Sequence, residues 1–190
     1  MVRSFTGRPV PGPVLDGLLA AALRSPSAGN AGGYALVVLE GTDQTAPLWA
    51  ATTDEDWRSQ SRRWPGLRRA PVVVVVLTDP GVYVDRYREA DKSGSGLGDV
   101  GPEGWPVPYW FVDAGMAIMT LLLGAVDAGL GACFLGSFRG EEALLRHLGV
   151  PSGWRHVGSV VLGEAGGGDP PSPSLRRGRR GPDAVHRGRW

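Results

Sequence analysis

Five consecutive valines occupy positions 72–76, directly after Pro71. Valine is branched at Cβ, which favours extended backbone, and an unbroken apolar run is typical of a strand that is covered on both faces of a sheet. Residues 71–77 are therefore predicted to form a buried strand. The apolar run Tyr34–Glu40 predicts a second strand of the same kind.

Helical and extended patterns alternate along the rest of the chain. After Pro13, apolar residues recur every three or four positions and predict a one-faced helix that ends near Arg24. The alternation indicates an α+β or α/β fold whose sheet has helices on both faces. The other predicted helices are 46–57, 82–91, 109–128 and 141–148, the other predicted strands are 132–135 and 157–162, and residues 92–108 are predicted to be a loop.

The segment 109–128 is the longest predicted helix, and it is apolar nearly all round. Such a helix must be covered on every side, either in a core or between two subunits. Its longest apolar stretch, residues 114–126, has 13 residues and is too short to span a bilayer, and the N-terminus lacks the pattern of a secretory signal. We therefore expect a cytoplasmic protein without a membrane segment. Asp113 is predicted to complement the free N–H groups at the start of this helix.

A chain of 190 residues with 42% hydrophobic residues is the size of one domain with one core. We predict a single domain over residues 1–190, in which residues 165–190 form an extended arginine-rich arm. A net charge of +1 argues against nucleic acid as the main partner. The arginines of the arm remain open to three interpretations: a solvated basic end, a phosphate clamp or a patch for polyanions.

Residues 25–30, with the sequence SPSAGN, form a small polar turn between the first helix and the first strand. A turn of this composition is predicted to leave backbone N–H groups and short hydroxyls unpaired, so that a polar cofactor could bind there. The aromatic cluster at residues 105–111 is predicted to be core or, with a slight preference, the lining of a pocket. Cys133, the one cysteine, is predicted to be a packed core thiol, and no metal site is expected.

An ordered set of motifs carries a family resemblance. The set comprises the N-terminal Arg3-Ser4-Phe5, the turn at residues 25–30, the long apolar helix, the glycine-rich segment 129–136 and the arginine-rich end. In this order the motifs resemble the nitroreductase-like family of FMN-dependent oxidoreductases. The resemblance implies a three-layer α+β fold with a central, mostly antiparallel sheet flanked by helices. It also implies an intertwined homodimer with two FMN sites at the subunit interface.

Three arginines match charged positions of the family. Arg3 matches the basic residue near N1 and O2 of the flavin ring, where a positive charge stabilises the negative charge of reduced flavin and raises its potential. Arg177 and Arg179 match the paired basic residues that hold the FMN phosphate. The resemblance thus favours the phosphate clamp among the three interpretations of the arm.

Five further residues match the cofactor-binding segments of the family. Pro26, Ser27 and Asn30 match the turn that reaches the cofactor from the partner subunit. Leu135 and Gly136 match the segment whose backbone N–H groups face N5 and O4 of the flavin, where glycine permits a close approach.

The sequence departs from the family pattern at two places. Family members carry an Arg-x-Ser element just before the position of Arg3, where this sequence begins with Met1-Val2. The turn is usually followed by Gln-Pro-Trp, whereas this chain has Gly32-Gly33-Tyr34.

The resemblance implies an FMN-dependent oxidoreductase with NADH or NADPH as electron donor. It would reduce a small acceptor, a nitroaromatic, a quinone or an enone, by ping-pong hydride transfer, and no catalytic side chain is assigned because the flavin step requires none. One alternative is a protein that binds or sequesters flavin or deazaflavin without turnover, and another is a biosynthetic FMN-dependent dehydrogenase. A third is a structural or nucleic-acid-binding module that uses the arginine-rich arm.

Overall fold

The computed structural model describes residues 1–60 and 65–189, and within them the chain forms four strands and six α-helices. Residue 190, the last of the predicted arm, lies outside the described residues. The strands are β1 (Tyr34–Glu40), β2 (Val72–Thr78), β3 (Gly131–Leu135) and β4 (Arg155–Gly163). The helices are α1 (Gly12–Ala22), α2 (Gly41–Thr52), α3 (Glu55–Gln60), α4 (Pro80–Arg88), α5 (Tyr109–Asp127) and α6 (Glu141–His147).

The described strands form one sheet in the order β1-β2-β4-β3, and every neighbouring pair is antiparallel. The valine run forms the centre of the sheet, where Val73, Val74, Val75 and Val76 each have 0% of their surface exposed. This confirms the α+β fold with an antiparallel sheet that the sequence and its family resemblance predicted.

The two faces of β2 are covered by different helices, because successive side chains of a strand point to opposite faces. Val74 and Val76 pack in one cluster with residues of α1 and α5, and Val73 and Val75 pack in another with residues of α2 and α6. The result is a layer of helices on each side of the sheet, as the sequence predicted.

The predicted helix 46–57 is two helices in the structure. The chain leaves helical geometry at Thr53, and Oδ1 of Asp54 accepts a hydrogen bond from the backbone N–H of Trp57 at 2.7 Å, which caps the start of α3. The first of the two helices also begins earlier than predicted, at Gly41, because the side chain of Gln44 accepts a hydrogen bond from the Glu40 N–H.

The prediction for Asp113 was wrong. The helix α5 begins at Tyr109, so Asp113 lies one turn beyond the free N–H groups. Its side chain is 2% exposed and accepts hydrogen bonds from other elements of the fold, described below. Trp105 and Trp110 of the aromatic cluster belong to the core, where they pack with Tyr83, whereas Tyr109 and Phe111 are 38% and 39% exposed.

One side of α5 faces the core and the other is exposed. On the inner side, side chains such as Ala114, Leu121 and Ala125 are fully buried. In the described part of the chain α5 is also the one helix long and apolar enough to cross a membrane, and its inner side is packed in the core. The outer side carries a row of exposed apolar residues: Val112, Met116, Met119, Leu123 and Val126.

Candidate functional site

The turn at residues 25–30 has two consecutive residues in left-handed backbone geometry. Gly29 has φ +62° and Asn30 has φ +56°, a region that glycine adopts freely and asparagine tolerates. Gly29 also lies against a ring, since a Cβ atom there would be 2.7 Å from Cε2 of Tyr87. The turn therefore requires glycine at this position, and it leaves the side chain of Asn30 exposed.

The prediction that this turn leaves its backbone N–H groups unpaired was wrong at several positions. The N–H of Ala28 donates to Oδ2 of Asp113 at 2.8 Å, and the N–H of Asn30 donates to the carbonyl oxygen of Ser27 at 2.9 Å. The hydroxyl of Ser27 accepts a hydrogen bond from the N–H of Gly32 at 2.9 Å. The turn is therefore a rigid element, and the groups it offers to a ligand are side chains rather than a set of open amides.

Leu135 and Gly136, at the end of β3, line a cavity of about 270 Å³. Gly136 is exposed, and a Cβ atom there would meet only the ring of Phe138, at 3.7 Å. The chain then returns to α2 at Gly140, which has φ +74° and leaves no room for a side chain beside the Ala51 carbonyl. The end of β3 is thus open to a ligand on one side and held against the fold on the other.

Sequence reasoning missed two residues beside this cavity. Ser159 of β4 lines the cavity and is 3% exposed, and its hydroxyl lies 3.0 Å from Nε2 of His156. In a regular strand these two residues would point to opposite faces, but the pairing of β2 with β4 shifts between Val76 and Leu77 and adds one residue to β4. The sequence has no signal for this irregularity, so it gave no reason to pair the two side chains.

His156 is largely enclosed. Burial lowers the pKa of its imidazole, and a hydrogen bond to the backbone of Gly158 and the charge of Glu141 oppose that shift only in part. Glu141 also accepts hydrogen bonds from the backbone N–H of His156 at 3.1 Å and from Nε of Arg155 at 3.0 Å. The direction of the shift favours a neutral imidazole at neutral pH.

Arg3 lies in an N-terminal segment that crosses the structure beside β3. The N–H groups of Arg3 and Ser4 donate to Oδ2 of Asp169, at 2.6 and 3.2 Å. Phe5, fully buried, pairs with Ala165. Two successive N–H groups that share one carboxylate oxygen form a small anion-binding cradle.

The remaining predicted residues lie elsewhere. Arg177 ends a short 3-10 turn, Pro173–Arg177, and both Arg177 and Arg179 are exposed on the arm. A further cavity of about 720 Å³, lined by Arg58, Arg68 and Arg69 among others, contains none of the predicted site residues.

One protomer does not bring the turn and the end of β3 together. Tyr34, which begins β1 just after the turn, pairs with Thr78, and Leu135 pairs with Ser159, which is opposite Val75, so β3 points to the same end of the sheet but stops three residues short of the level of Tyr34. In addition, β1 and β3 are opposite edges of the sheet, three strand spacings or about 14 Å apart. In one protomer the predicted residues of the turn and of the end of β3 thus form two separate groups.

An antiparallel sheet between two helical layers, with a polar turn before its first strand and an open glycine after its third, makes this chain a three-layer α+β protein. A profile of the nitroreductase family matches residues 1–164. The chain belongs to the nitroreductase family, which confirms the resemblance seen in its motifs.

The individual relatives have low sequence identity to this chain, and their matches cover all or nearly all of it. A protein of Archaeoglobus fulgidus, described as a candidate NADH dehydrogenase or NAD(P)H nitroreductase, is 25% identical over 192 residues, which cover 100% of this chain and 92% of that protein. The crystal structure of a nitroreductase family protein from Streptococcus pneumoniae has a TM-score of 0.72 at 18% identity, and the match covers 99% of this chain and 94% of that one. An FMN-dependent nitroreductase from Clostridium difficile has a TM-score of 0.66 at 18% identity, over 100% and 94% of the two chains.

The lowered pKa of His156 predicts an acid-sensitive stability. In the unfolded chain a histidine titrates near 6.5. The folded protein holds the imidazole neutral to lower pH, so the unfolded state binds more protons and the free energy of unfolding falls as the pH drops below about 6.5. Denaturant unfolding between about pH 7.5 and 5 should show this decline, and H156Q should flatten it. The matched control is H147Q at an exposed histidine, which should keep the wild-type slope; equal slopes in all three proteins would contradict the prediction.

Proposed function

We propose that this protein is an FMN-dependent oxidoreductase of the cytoplasm that takes electrons from NADH or NADPH and reduces a small acceptor. The acceptor class would be a nitroaromatic, a quinone or an enone. Membership of the nitroreductase family supports the reaction class, and the relatives described as an FMN-dependent nitroreductase and as a candidate NAD(P)H nitroreductase support the cofactor and donor. The structural observation that carries the proposal is the open backbone of Gly136 beside a cavity at the end of β3.

The described residues fit FMN at the end of β3, whereas the N–H groups of Arg3 and Ser4 are already paired with the carboxylate of Asp169. At Gly136 the absence of a side chain leaves the backbone open to the edge of a flat ring. The residues that would hold FMN are Arg3, Leu135, Gly136, Arg177 and Arg179 of one protomer and Pro26, Ser27 and Asn30 of the other.

When bound, FMN would supply the hydride chemistry, accepting a hydride from the nicotinamide and passing it to the acceptor. The chain would contribute orientation and charge. The guanidinium of Arg3 would stabilise negative charge on the reduced ring, and Leu135 and Gly136 would fix the ring edge through their backbone. We assign no catalytic side chain to this step.

We also propose that the protein is a homodimer paired through α5. The exposed residues Val112, Met116, Met119, Leu123 and Val126 are 40% to 69% exposed, and they follow one another at spacings of four, three, four and three residues. That spacing places them in one seam of the helix, as in helices that pair with a second helix. A row of five exposed apolar residues along one helix is typical of a surface that binds a partner. A second copy would cover the seam and would supply the turn that one protomer keeps away from its own β3.

The first experiment measures reduction of the bound flavin. Protein loaded with FMN and freed of excess cofactor is mixed anaerobically with NADH or NADPH in a stopped-flow instrument. The visible flavin band should bleach with at least one donor and return when a quinone or nitroaromatic is added. A bound flavin that neither donor bleaches would instead support a flavin-binding protein without turnover, and a colourless protein that cannot be loaded with FMN would overturn the proposal.

The arm provides a test of the phosphate site. The double variant R177A/R179A should weaken FMN binding by about 1.5 to 3 kcal/mol for each lost hydrogen bond to the phosphate, because charged hydrogen bonds contribute this much. Titration of FMN fluorescence measures the Kd. The matched control is R176A/R180A, which removes the same charge from exposed arginines of the same arm. Equal Kd values for both double variants would show that the phosphate lies elsewhere.

The seam on α5 provides a test of the dimer. The double variant M119E/L123E places two like charges in the centre of the seam and should convert a dimer into monomers, as light scattering during gel filtration would show. Val185 on the arm is exposed to the same degree as Val126, at 68% and 69%, so V185E is the control and should remain dimeric. A wild-type protein that is monomeric at micromolar concentration would contradict this part of the proposal.

A further inference from the structure

We propose that Asp113 and Arg86 are positioning residues for the cofactor, because together they hold the turn at residues 25–30 in the form that would be presented to FMN. This inference rests on the proposed function. It concerns two side chains that hold the backbone of the turn and that the family motifs do not assign to the site.

Asp113 and Arg86 hold neighbouring backbone groups of the turn. Oδ2 of Asp113 accepts a hydrogen bond from the N–H of Ala28 at 2.8 Å, and Nε of Arg86 donates to the carbonyl oxygen of Gly29 at 2.8 Å. One contact comes from α5 and the other from α4, so the turn is fixed from two elements at once. Asn30, which follows directly, has a left-handed backbone and an exposed side chain.

Both side chains are themselves held in place. The carboxylate oxygen of Asp113 that binds Ala28 also accepts a hydrogen bond from the hydroxyl of Tyr83 at 2.9 Å. The guanidinium of Arg86 binds both carboxylate oxygens of Asp91, each at 2.7 Å, and only 19% of its side chain is exposed. Neither residue can change rotamer without losing several charged hydrogen bonds, so each presents a fixed partner to the turn.

The burial of Asp113 argues against a purely structural role. A carboxylate that is 2% exposed has lost its hydration, and an apolar side chain of similar size usually stabilises a core at least as well as a buried charge does. The hydrogen bonds that offset this cost run to Ala28 and Tyr83. The acceptor oxygen of Asp113 therefore defines the geometry of the turn more than its burial adds to the stability of the core.

The same helix links the turn to the proposed dimer seam. Thr120 lies two turns after Asp113 on α5, and its hydroxyl is 3.0 Å from the hydroxyl of Ser25. Met116 and Met119 of the seam lie between these two anchors in the sequence. The helix α5 thus carries the seam and also two anchors of the turn. Pairing of two α5 helices would therefore set the position of the turn relative to the partner's β3.

The test compares FMN binding in D113L, D113N and Y83F. Loss of the Ala28 partner in D113L should raise the Kd for FMN about tenfold and change the visible circular dichroism of the bound flavin. D113N keeps an acceptor oxygen and should bind FMN within about threefold of wild type. Y83F removes the other hydrogen bond to Asp113 but leaves the contact with Ala28, so it should lower the Tm and raise the Kd less than D113L does.

Arg86 gives a second test that does not depend on the folding of D113L. The variant R86M removes the hold on Gly29 and should also raise the Kd for FMN, by about threefold or more. The matched control is R88M, since Arg88 lies on the same helix and binds the carbonyl oxygen of Gly98 instead. Amide hydrogen exchange of residues 25–33 in the protein without FMN should speed up in R86M and stay unchanged in R88M.

Two outcomes would overturn the inference. One is a folded D113L protein that binds FMN as wild type does, and the other is an R86M protein whose Kd and exchange match those of R88M. Failure of the proposed function has a different signature, because wild-type protein would then fail to bind FMN at all while the exchange difference between R86M and R88M could still be measured.

Discussion

Burial of β2 on both faces is the constraint on which the rest of the structure depends. Val73, Val74, Val75 and Val76 have no exposed surface, and their side chains alternate between two faces, so each face of the sheet needs its own layer of helices. The layer formed by α1 and α5 covers one face. Because α5 uses only its inner side for this purpose, its apolar outer side remains at the surface, and the proposed dimer follows from that remainder.

The location of the candidate site also follows from the architecture of this sheet. The antiparallel order β1-β2-β4-β3 places the turn before β1 and the open end of β3 toward the same end of the sheet but on opposite edges. The turn carries three of the residues that the family motifs select, the end of β3 carries two, and the core strands lie between these two groups. In the proposed dimer, a second copy paired through α5 would bring its turn to the end of β3 of the first copy. The packing of the core is thereby connected with the proposed binding of FMN at an interface.

Elements with a strong local pattern were predictable from the sequence. The strand at the valine run, the long helix and the small helix predicted at residues 141–148 all lie where periodicity and composition placed them. The break between α2 and α3 was not predictable, because an acidic side chain that caps a new helix looks the same in sequence as one on the surface of a continuous helix. His156 and Ser159 were missed for a related reason, since their contact depends on a one-residue shift in strand pairing.

By itself the sequence determined the kinds of elements, the layered α+β class and the family, because these follow from patterns among residues that are close along the chain or stand in a recognisable order. The tertiary structure decided which partner each polar group has. Asp113 and Ala28 are 85 positions apart, and Arg86 and Gly29 are 57 apart. Hydrogen bonds act over about 3 Å in space, so only the packing of α4 and α5 around the turn could show that these side chains, rather than a ligand, hold its backbone.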